Sequence, residues 1–236
     1  MTHEDNNEVD RVRGRSGGAQ SPGAAAAAIL AERLETGAVL GALAQEQQLG
    51  QWAKKSGLVV AEDAYRELEL VSKATAENEV FYRAADHRAV KKTWPGTFGF
   101  VPKKSNAGWV PSPATPLEYL RRLELQNTLF GDNILVEAVC ISSQPSMIIG
   151  QKSGGLSLIV SQPWLEAADD SSPHPTLEQI ADYLGTRGFS PLFTAIFGWI
   201  SAELQIVILD AKPDNFIHTH SGILPIDLLI CPIPTE

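Results

Sequence analysis

Cysteine, long apolar runs and positive charge are all scarce in this sequence of 236 residues, and each shortage excludes a class of protein. The two cysteines, Cys140 and Cys231, each lie in an apolar run, which is typical of buried thiols in reduced surroundings rather than of a disulfide framework. No segment is long and apolar enough to span a bilayer. The 19 Lys and Arg residues against 28 Asp and Glu residues give a net charge of −9, which argues against a sequence-independent grip on nucleic acid. We therefore expect neither a membrane nor a nucleic-acid partner.

The amino-terminal part predicts little packed structure. Residues 1–8 are acidic and polar, unlike a signal peptide, and this favours a cytoplasmic protein. Residues 1–22 contain almost no large apolar side chains and predict a disordered tail. Residues 23–57 are rich in Ala, Leu, Gln and Glu, with an apolar stripe that is broken near Thr36-Gly37. They predict a helical leader of two helices, the second ending at Gly57.

The remaining residues, 58–236, have the pattern of a globular domain in which helices and strands mix. Thr115, Pro116 and Glu118 form a helix-start signal, with Thr as cap and Glu three residues later, and Gly131 ends that helix. A second short helix is predicted at 176–184, again with Thr and Glu at its start, and a Gly- and Pro-rich loop at 94–113. Strands are predicted at 79–83, 88–93, 134–141, 156–161, 205–209, 216–219 and 222–230. This order predicts the α+β fold class.

The densest chemical signal follows the apolar strand that ends at Leu209. Asp210 comes directly after it, Asn215 stands five positions later, and Lys212 lies between them. Kinases use this spacing in a loop whose Asp orients the attacking hydroxyl group and whose Asn binds metal, and Lys212 can point at the same phosphate. The alternative is that Asp210 only forms a turn, because Asp-x-x-Pro-Asp-Asn is favourable turn sequence.

A second carboxylate is predicted to return to the same place. The Ser221-Gly222 turn reverses the chain, and Asp227 follows in an apolar strand twelve positions after Asn215. A carboxylate in such a strand is costly unless it has a cation, so Asp227 predicts a metal or a basic partner. In kinases the corresponding Asp chelates the magnesium that bridges the ATP phosphates. We expect Asp210, Asn215 and Asp227 to converge.

These residues, together with a series of weaker blocks in a specific order, resemble the kinase-like domains of bacterial and phage polyvalent proteins, a divergent branch of the protein-kinase superfamily. The resemblance covers about residues 50–232. Its blocks are Glu79-Val80-Phe81, Arg88-Ala89-Val90-Lys91, Pro95-Gly96-Thr97-Phe98-Gly99-Phe100, Pro116-Leu117-Glu118-Tyr119-Leu120, Leu129-Phe130-Gly131-Asp132, Ser161-Gln162-Pro163-Trp164, Asp210 to Asn215, and Pro225-Ile226-Asp227-Leu228.

The resemblance implies a minimal protein-kinase-like fold that uses ATP and Mg²⁺. It implies an antiparallel amino-terminal-lobe sheet with one helix like the αC helix of kinases (about 70–161), and a truncated carboxyl-terminal lobe (about 162–236). The roles it implies are phosphate contact for Lys91, ion pairing with that lysine for Glu118, adenine binding at the hinge for Ser161 and Gln162, catalysis for Asp210, and metal binding for Asn215 and Asp227.

The sequence departs from most protein kinases at several points. Ala74-Thr75-Ala76-Glu77-Asn78 stands where a glycine-rich loop is usual, no His-Arg precedes Asp210, and Leu228-Leu229 rather than Phe-Gly follows Asp227. Residues beyond Asp227 are too few for an activation segment, so we expect the acceptor to be a Ser, Thr or Tyr side chain or a small molecule. The alternatives are a pseudokinase-like module that binds nucleotide without turnover, and an accessory module of a phage or mobile-element conflict system.

Alternatives also remain for single residues. Lys92 rather than Lys91 could face inward, because neighbouring residues of a strand point to opposite sides. Glu118 could be only a capping carboxylate, with Glu124 as the ion-pair partner.

His218 and His220 alternate on a strand as metal ligands would, although an exposed hairpin is the preferred interpretation. Of the five tryptophans, only Trp164 is expected to face a nucleotide.

Overall fold

The computed structural model of the chain describes residues 41–72, 77–143, 154–193, 195 and 197–234. The predicted tail and the first predicted leader helix lie outside these residues, as does most of the segment that replaces a glycine-rich loop. The second leader helix is confirmed as α1 (Ala42–Lys55). The chain leaves it through Gly57, whose φ of +68° is a conformation that favours glycine.

The larger sheet has six strands in the order β1-β7-β8-β4-β3-β2. Its neighbours are antiparallel except at one edge, where β1 pairs parallel to β7 through Val59 and Val139. The expected sheet is therefore present but is not purely antiparallel. Its strands are β1 (Val59–Val60), β2 (Glu69–Ser72), β3 (Asn78–Arg83), β4 (Arg88–Thr93), β7 (Leu135–Ser142) and β8 (Gly155–Pro163).

A smaller antiparallel sheet and two hairpins complete the strands, and together with the helices they give an α+β fold. The smaller sheet has the order β14-β11-β10-β9, made of β9 (Ser190–Pro191), β10 (Trp199–Ser201), β11 (Ile206–Leu209) and β14 (Leu229–Pro232). The hairpins are β5 (Phe100–Ser105) with β6 (Gly108–Pro113), and β12 (Phe216–Thr219) with β13 (Gly222–Pro225).

The β5–β6 hairpin corrects the prediction of a loop at 94–113. Pro102 and Pro111 stand opposite each other in this hairpin. Proline cannot donate to a strand ladder, but it is tolerated at edges, and both strands of a two-stranded ribbon are edges. Trp109 of the hairpin packs on Val207 and Leu209 of the smaller sheet, and this contact holds the hairpin against that sheet.

Helix α2 (Pro116–Phe130) begins with the predicted capping box, in which Thr115 accepts from the backbone N–H of Glu118 and Glu118 accepts from that of Thr115. Gly131 ends it in the left-handed conformation, at φ +72°. Helix α3 (Leu177–Gly185) also begins with a capping box, but its partner for Thr176 is Gln179 and not a glutamate.

Two apolar cores meet along α2. Leu117 and Leu120, near its start, pack with Val139 and Leu158 of the larger sheet and with α1. Leu125 and Leu129, near its end, pack on the core around Ile208, which includes residues of α3, β11 and β14. Burying such side chains contributes roughly 1.5–3 kcal/mol each, so α2 holds the two sheets in a fixed relation. Among the described residues, no helix is long and apolar enough to cross a membrane.

Candidate functional site

A cavity of about 740 Å³ opens where the two sheets and the β5–β6 hairpin meet. This volume is within the range of small-molecule binding sites. Its walls include apolar residues from both sheets, such as Val80, Ala89 and Leu229, and Phe100 from the hairpin.

Six of the eight predicted site residues line this cavity. They come from four separate stretches of chain and are Lys91, Gln162, Asp210, Lys212, Asn215 and Asp227. Glu118 and Ser161 are not among the lining residues. The convergence of Asp210, Asn215 and Asp227 that the sequence predicts is therefore present in the structure.

The loop from Asp210 to Asn215 is held by its own hydrogen bonds. The amide nitrogen of Asn215 donates to the backbone carbonyl oxygen of Asp210 at 2.7 Å and to its carboxylate Oδ2 at 2.8 Å. Pro213 starts a single 3₁₀ turn, whose last residue, Asn215, donates its backbone N–H to Lys212. Asp210 has φ +58°, a conformation that is uncommon for a residue other than glycine and that is often found at functional sites.

Lys212 bridges two carboxylates at the mouth of this loop. Its Nζ lies 3.6 Å from Oδ2 of Asp210 and 3.5 Å from Oδ2 of Asp214. Partial burial lowers the pKa of Lys212, but the two carboxylates outweigh burial and raise the pKa overall. Lys212 therefore carries a positive charge beside Asp210 at neutral pH.

The β12–β13 hairpin returns the chain to the loop. Phe216 pairs with Pro225, and the backbone N–H of Ile226 donates to the carbonyl oxygen of Asn215 at 2.9 Å. Asp227 follows, with its side chain 35% exposed. Burial raises the pKa of this carboxyl, but three cations outweigh burial and lower it overall: Lys91, Arg122 and Lys212.

Lys91, rather than Lys92, lies in the cavity wall. Its Nζ donates to the backbone carbonyl oxygen of Ile226 at 2.7 Å. Lys92 contacts Glu62 and Glu79 instead, with its Nζ 4.0 Å from the Glu79 carboxylate. Strand alternation thus sends the two neighbouring lysines to different faces of the sheet.

The predicted pairing of Glu118 with Lys91 is not what the structure contains. Glu118 caps α2 through Thr115, and Lys103 of the β5–β6 hairpin lies 3.1 Å from its carboxylate. The capping role alone therefore accounts for the signal seen in the sequence. Glu124, the other candidate partner, is also not among the cavity-lining residues.

Ser161 is likewise turned away from the cavity. It is fully buried, and its hydroxyl oxygen accepts from Nε of Arg88 at 2.7 Å. Its backbone position pairs with Val90 inside the sheet. The cavity wall begins one residue later, at Gln162, and continues through Trp164, whose ring meets that of Tyr82 edge to face at 5.0 Å. The expectation that Trp164 faces the site agrees with this placement.

Glu77 lines the cavity and Arg122 lies behind Asp227, but neither residue was predicted from the sequence. The Arg122 guanidinium, whose side chain is 2% exposed, donates to Asp227 Oδ1 at 2.5 Å and to Glu77 Oε2 at 2.8 Å. Burial lowers the pKa of Arg122, but the two carboxylates outweigh burial and raise it, so the side chain stays charged. The only sign in the sequence of a buried arginine is that an arginine pair stands between the apolar helix positions Leu120 and Leu123. The sequence does not show whether Arg121 or Arg122 is the buried one.

The oxygen donors at the cavity fit a magnesium ion. Arg122 donates to Oδ1 of Asp227, and the side-chain amide nitrogen of Asn215 donates to Asp210, so that Oδ2 of Asp227 and Oδ1 of Asn215 are the candidate ligand atoms. Mg²⁺ is usually held by one or two carboxylates together with substrate phosphates and water. Within the described ranges, no group of three or more His, Cys, Asp or Glu side chains could hold a metal by itself.

Comparison with known proteins identifies the family. Neither a curated protein nor a solved structure matches the chain. Residues 43–231 match the family model described as a serine/threonine/tyrosine kinase found in polyvalent proteins. This span includes all but the first residue of α1, both sheets except the last residue of β14, and every residue of the cavity wall described above. Because the match covers most of the sequence and includes the cavity-lining residues, the chain belongs to this kinase family of polyvalent proteins.

Proposed function

We propose that this protein is an ATP- and Mg²⁺-dependent phosphotransferase with a minimal protein-kinase-like fold. The observation that carries the proposal is the convergence of Lys91, Asp210 with Asn215, and Asp227 in one cavity. Kinases place a strand lysine, a catalytic-loop Asp and Asn, and a metal-binding Asp around the ATP phosphates in this way. In this proposal the larger sheet with α2 forms the amino-terminal lobe, and residues 162–236 form a reduced second lobe.

Charge neutralisation is the first contribution of these residues. Lys91 and Lys212 line the cavity and would contact phosphate oxygens, each as a compact positive charge. Asn215 and Asp227 would hold the magnesium ion, which neutralises developing charge on the phosphates when bound. In phosphoryl transfer, positioning and electrostatic stabilisation provide most of the barrier reduction.

Orientation of the acceptor is assigned to Asp210. Its carboxylate is 39% exposed, and its position is fixed by the amide of Asn215. It can therefore accept the hydrogen bond of an acceptor hydroxyl group at the cavity mouth. The acceptor is a hydroxyl of a Ser, Thr or Tyr side chain or of a small molecule.

The nucleotide base would lie at the other end of the cavity, against the hinge-like segment that begins at the end of β8. Gln162 and Trp164 line this end, and Trp164 presents an aromatic surface. The apolar residues Val80 and Ala89 lie on the adjacent strands and would pack on the base. In this assignment Gln162 keeps the role expected of it, and Ser161 loses its role to the residues that follow.

A second candidate function is nucleotide binding without turnover. The observation that favours it is the ion pair of Asp227 with Arg122, which occupies one of the two carboxylate oxygens expected to serve the metal. A pseudokinase-like module with this contact would bind nucleotide and transfer no phosphate.

Transfer of labelled γ-phosphate from Mg-ATP separates the two candidates. The full chain is tested for autophosphorylation and against a mixture of protein and small-molecule hydroxyl acceptors, beside Asp210→Asn and the exposed helix control Asp182→Asn. Phosphotransferase activity predicts transfer by the wild type and the control, and a loss of about 100-fold or more in Asp210→Asn with ATP binding retained. ATP binding without transfer by any of the three proteins would favour the binding module.

A further inference from the structure

Arg122 joins four segments of the chain through one buried guanidinium group. Its Nη1 donates to Glu77 at 2.8 Å and to the carbonyl oxygen of Phe100 at 3.0 Å. Its Nη2 donates to Asp227 at 2.5 Å, and its Nε donates to the carbonyl oxygen of Leu228 at 2.8 Å. A buried charge is costly unless it is paired and hydrogen-bonded, and here all three nitrogens of the guanidinium have acceptors.

The contacts with Asp227 and Leu228 fix the direction of the carboxylate. Because one planar guanidinium holds both the Asp227 side chain and the next backbone carbonyl group, the carboxylate has little freedom to rotate. The Arg122 side of Asp227 is closed to solvent, whereas the Asp227 side chain as a whole is 35% exposed and lines the cavity. Arg122 thereby occupies one oxygen and leaves the other for a cavity ligand.

Glu77 completes the charge balance behind the site. It lies just before β3, is 9% exposed in its side chain, and also accepts from the backbone N–H of Phe100. Without Glu77, the charges of Arg122 and Asp227 would cancel, and an incoming divalent cation would meet no net attraction from this pair. Burial raises the pKa of Glu77, and its contacts with Arg122 and the backbone N–H of Phe100 oppose this rise. In its ionised form Glu77 gives the group of three one net negative charge next to the cavity.

We propose that Arg122 is a positioning residue that orients Asp227 for a divalent cation, and that Glu77 is the counter-charge that keeps this site attractive to the cation. Protein kinases fix their site with a helix glutamate that pairs with the strand lysine. In this chain helix α2 instead supplies the positively charged Arg122, which pairs with Asp227, the proposed metal ligand. The inference rests on the proposed function, because it concerns the metal that ATP brings.

Thermal unfolding of the full chain tests this inference without measuring activity. MgCl₂ is titrated at a fixed ATP concentration, and the Mg²⁺ concentration at half of the maximal stabilisation is determined. The variants are Glu77→Gln, Glu77→Asp and Arg122→Lys, and the matched control is Arg121→Lys, the exposed neighbour on the same helix. Unfolding in EDTA without ATP shows whether each variant is folded.

The inference predicts that the Mg²⁺ midpoint rises roughly tenfold in Glu77→Gln and in Arg122→Lys, the size expected from losing one charge-assisted contact. Glu77→Asp, which keeps the charge, stays nearer to the wild type than Glu77→Gln does, and Arg121→Lys is unchanged. A purely structural role would lower stability in EDTA and leave the Mg²⁺ midpoint of the folded variants unchanged. That result would overturn the inference.

Three other results would also contradict it. A lower Mg²⁺ midpoint in Arg122→Lys would mean that Arg122 competes with the metal for Asp227. If Arg122→Lys does not fold, the comparison of Glu77→Gln with Glu77→Asp decides, and equal midpoints overturn the inference. Absence of any Mg-ATP stabilisation in the wild type would overturn the proposed function as well, whereas wild-type stabilisation with unchanged midpoints overturns this inference alone.

Discussion

The ammonium group of Lys91 donates a hydrogen bond to the backbone carbonyl oxygen of Ile226 at 2.7 Å. This contact joins β4 of the larger sheet to the residue directly before Asp227. It places a positive charge close enough to Asp227 to lower the pKa of its carboxyl. The lysine is thus held at the cavity by a backbone group, while the helix carboxylate expected to hold it, Glu118, pairs with Lys103.

Replacing Lys91 by Met should weaken ATP binding by about 10- to 100-fold, because a charge-assisted contact with phosphate is lost. The measurement is the dissociation constant of Mg-ATP from calorimetry with the full chain. Lys92→Met is the matched control, since Lys92 lies on the other face of the same strand and should bind ATP as the wild type does. Equal losses in the two variants would show that Lys91 has no special contact with the nucleotide.

Gly99→Ala should destabilise the fold, because the added methyl group would collide with the Glu77 side chain. Gly99 has φ +64°, and an added Cβ would come 2.5 Å from Glu77 Oε2, within the buried ion-pair group. Backbone strain costs about 1–2 kcal/mol, and the clash should add about 1–3 kcal/mol.

Gly57→Ala separates these two costs. Gly57 has a similar φ of +68°, but an added Cβ there would meet nothing within 4 Å. Urea unfolding of both variants should therefore show a larger loss for Gly99→Ala, by about 1–3 kcal/mol. Equal losses would mean that Glu77 moves aside at no cost.

Asp132 should make the protein less stable as pH rises from about 4 to about 6. Burial raises the pKa of this carboxyl, while a hydrogen bond from Gln126 and the charge of Lys91 lower it, for a result of about 6. The folded state therefore binds the proton more tightly than the unfolded state, so ionisation favours unfolding in this window. The destabilisation by Asp132 is absent below the pKa of the unfolded state and is complete above the pKa of the folded state.

Asp132→Asn removes this dependence and keeps an acceptor for Gln126. We expect the variant to gain about 1–3 kcal/mol of unfolding free energy at pH 7.5 relative to the wild type, and to gain nothing at pH 3.5. Urea unfolding at both pH values measures the gain, with the exposed Asp170→Asn as control. A gain that is the same at both pH values would contradict the assignment.

Local sequence signals predicted the parts of the fold that short stretches of chain determine. The capping box of Thr115 and Glu118 begins α2 as predicted, because both partners lie within four residues of each other. Short-range contacts likewise determine the loop from Asp210 to Asn215 and the hairpin that turns at Ser221-Gly222, because the contacting residues are close in sequence. The convergence with Asp227 follows from that hairpin.

Contacts between distant segments could not be predicted in the same way. Arg122 and Arg121 are identical in type and adjacent, and only the packing of α2 between two cores decides which one is buried. Glu118 carries both a capping signal and a resemblance to an ion-pair partner, and the β5–β6 hairpin, which supplies Lys103, was predicted as a loop. The two residues of β1 are too few for periodicity to reveal a strand.

The most direct test of the proposed site is magnesium-dependent ATP binding by the wild type and Asp227→Asn. With Mg-ATP at about 100 times its dissociation constant, the wild type should gain about 2.7 kcal/mol of stability, a rise in melting temperature of about 5–10 °C. Asp227→Asn should lose the magnesium-dependent part of this rise while unfolding cooperatively in EDTA. An equal, magnesium-dependent rise in both proteins would contradict the assignment of Asp227 to the metal, and no rise in the wild type would contradict the phosphotransferase itself.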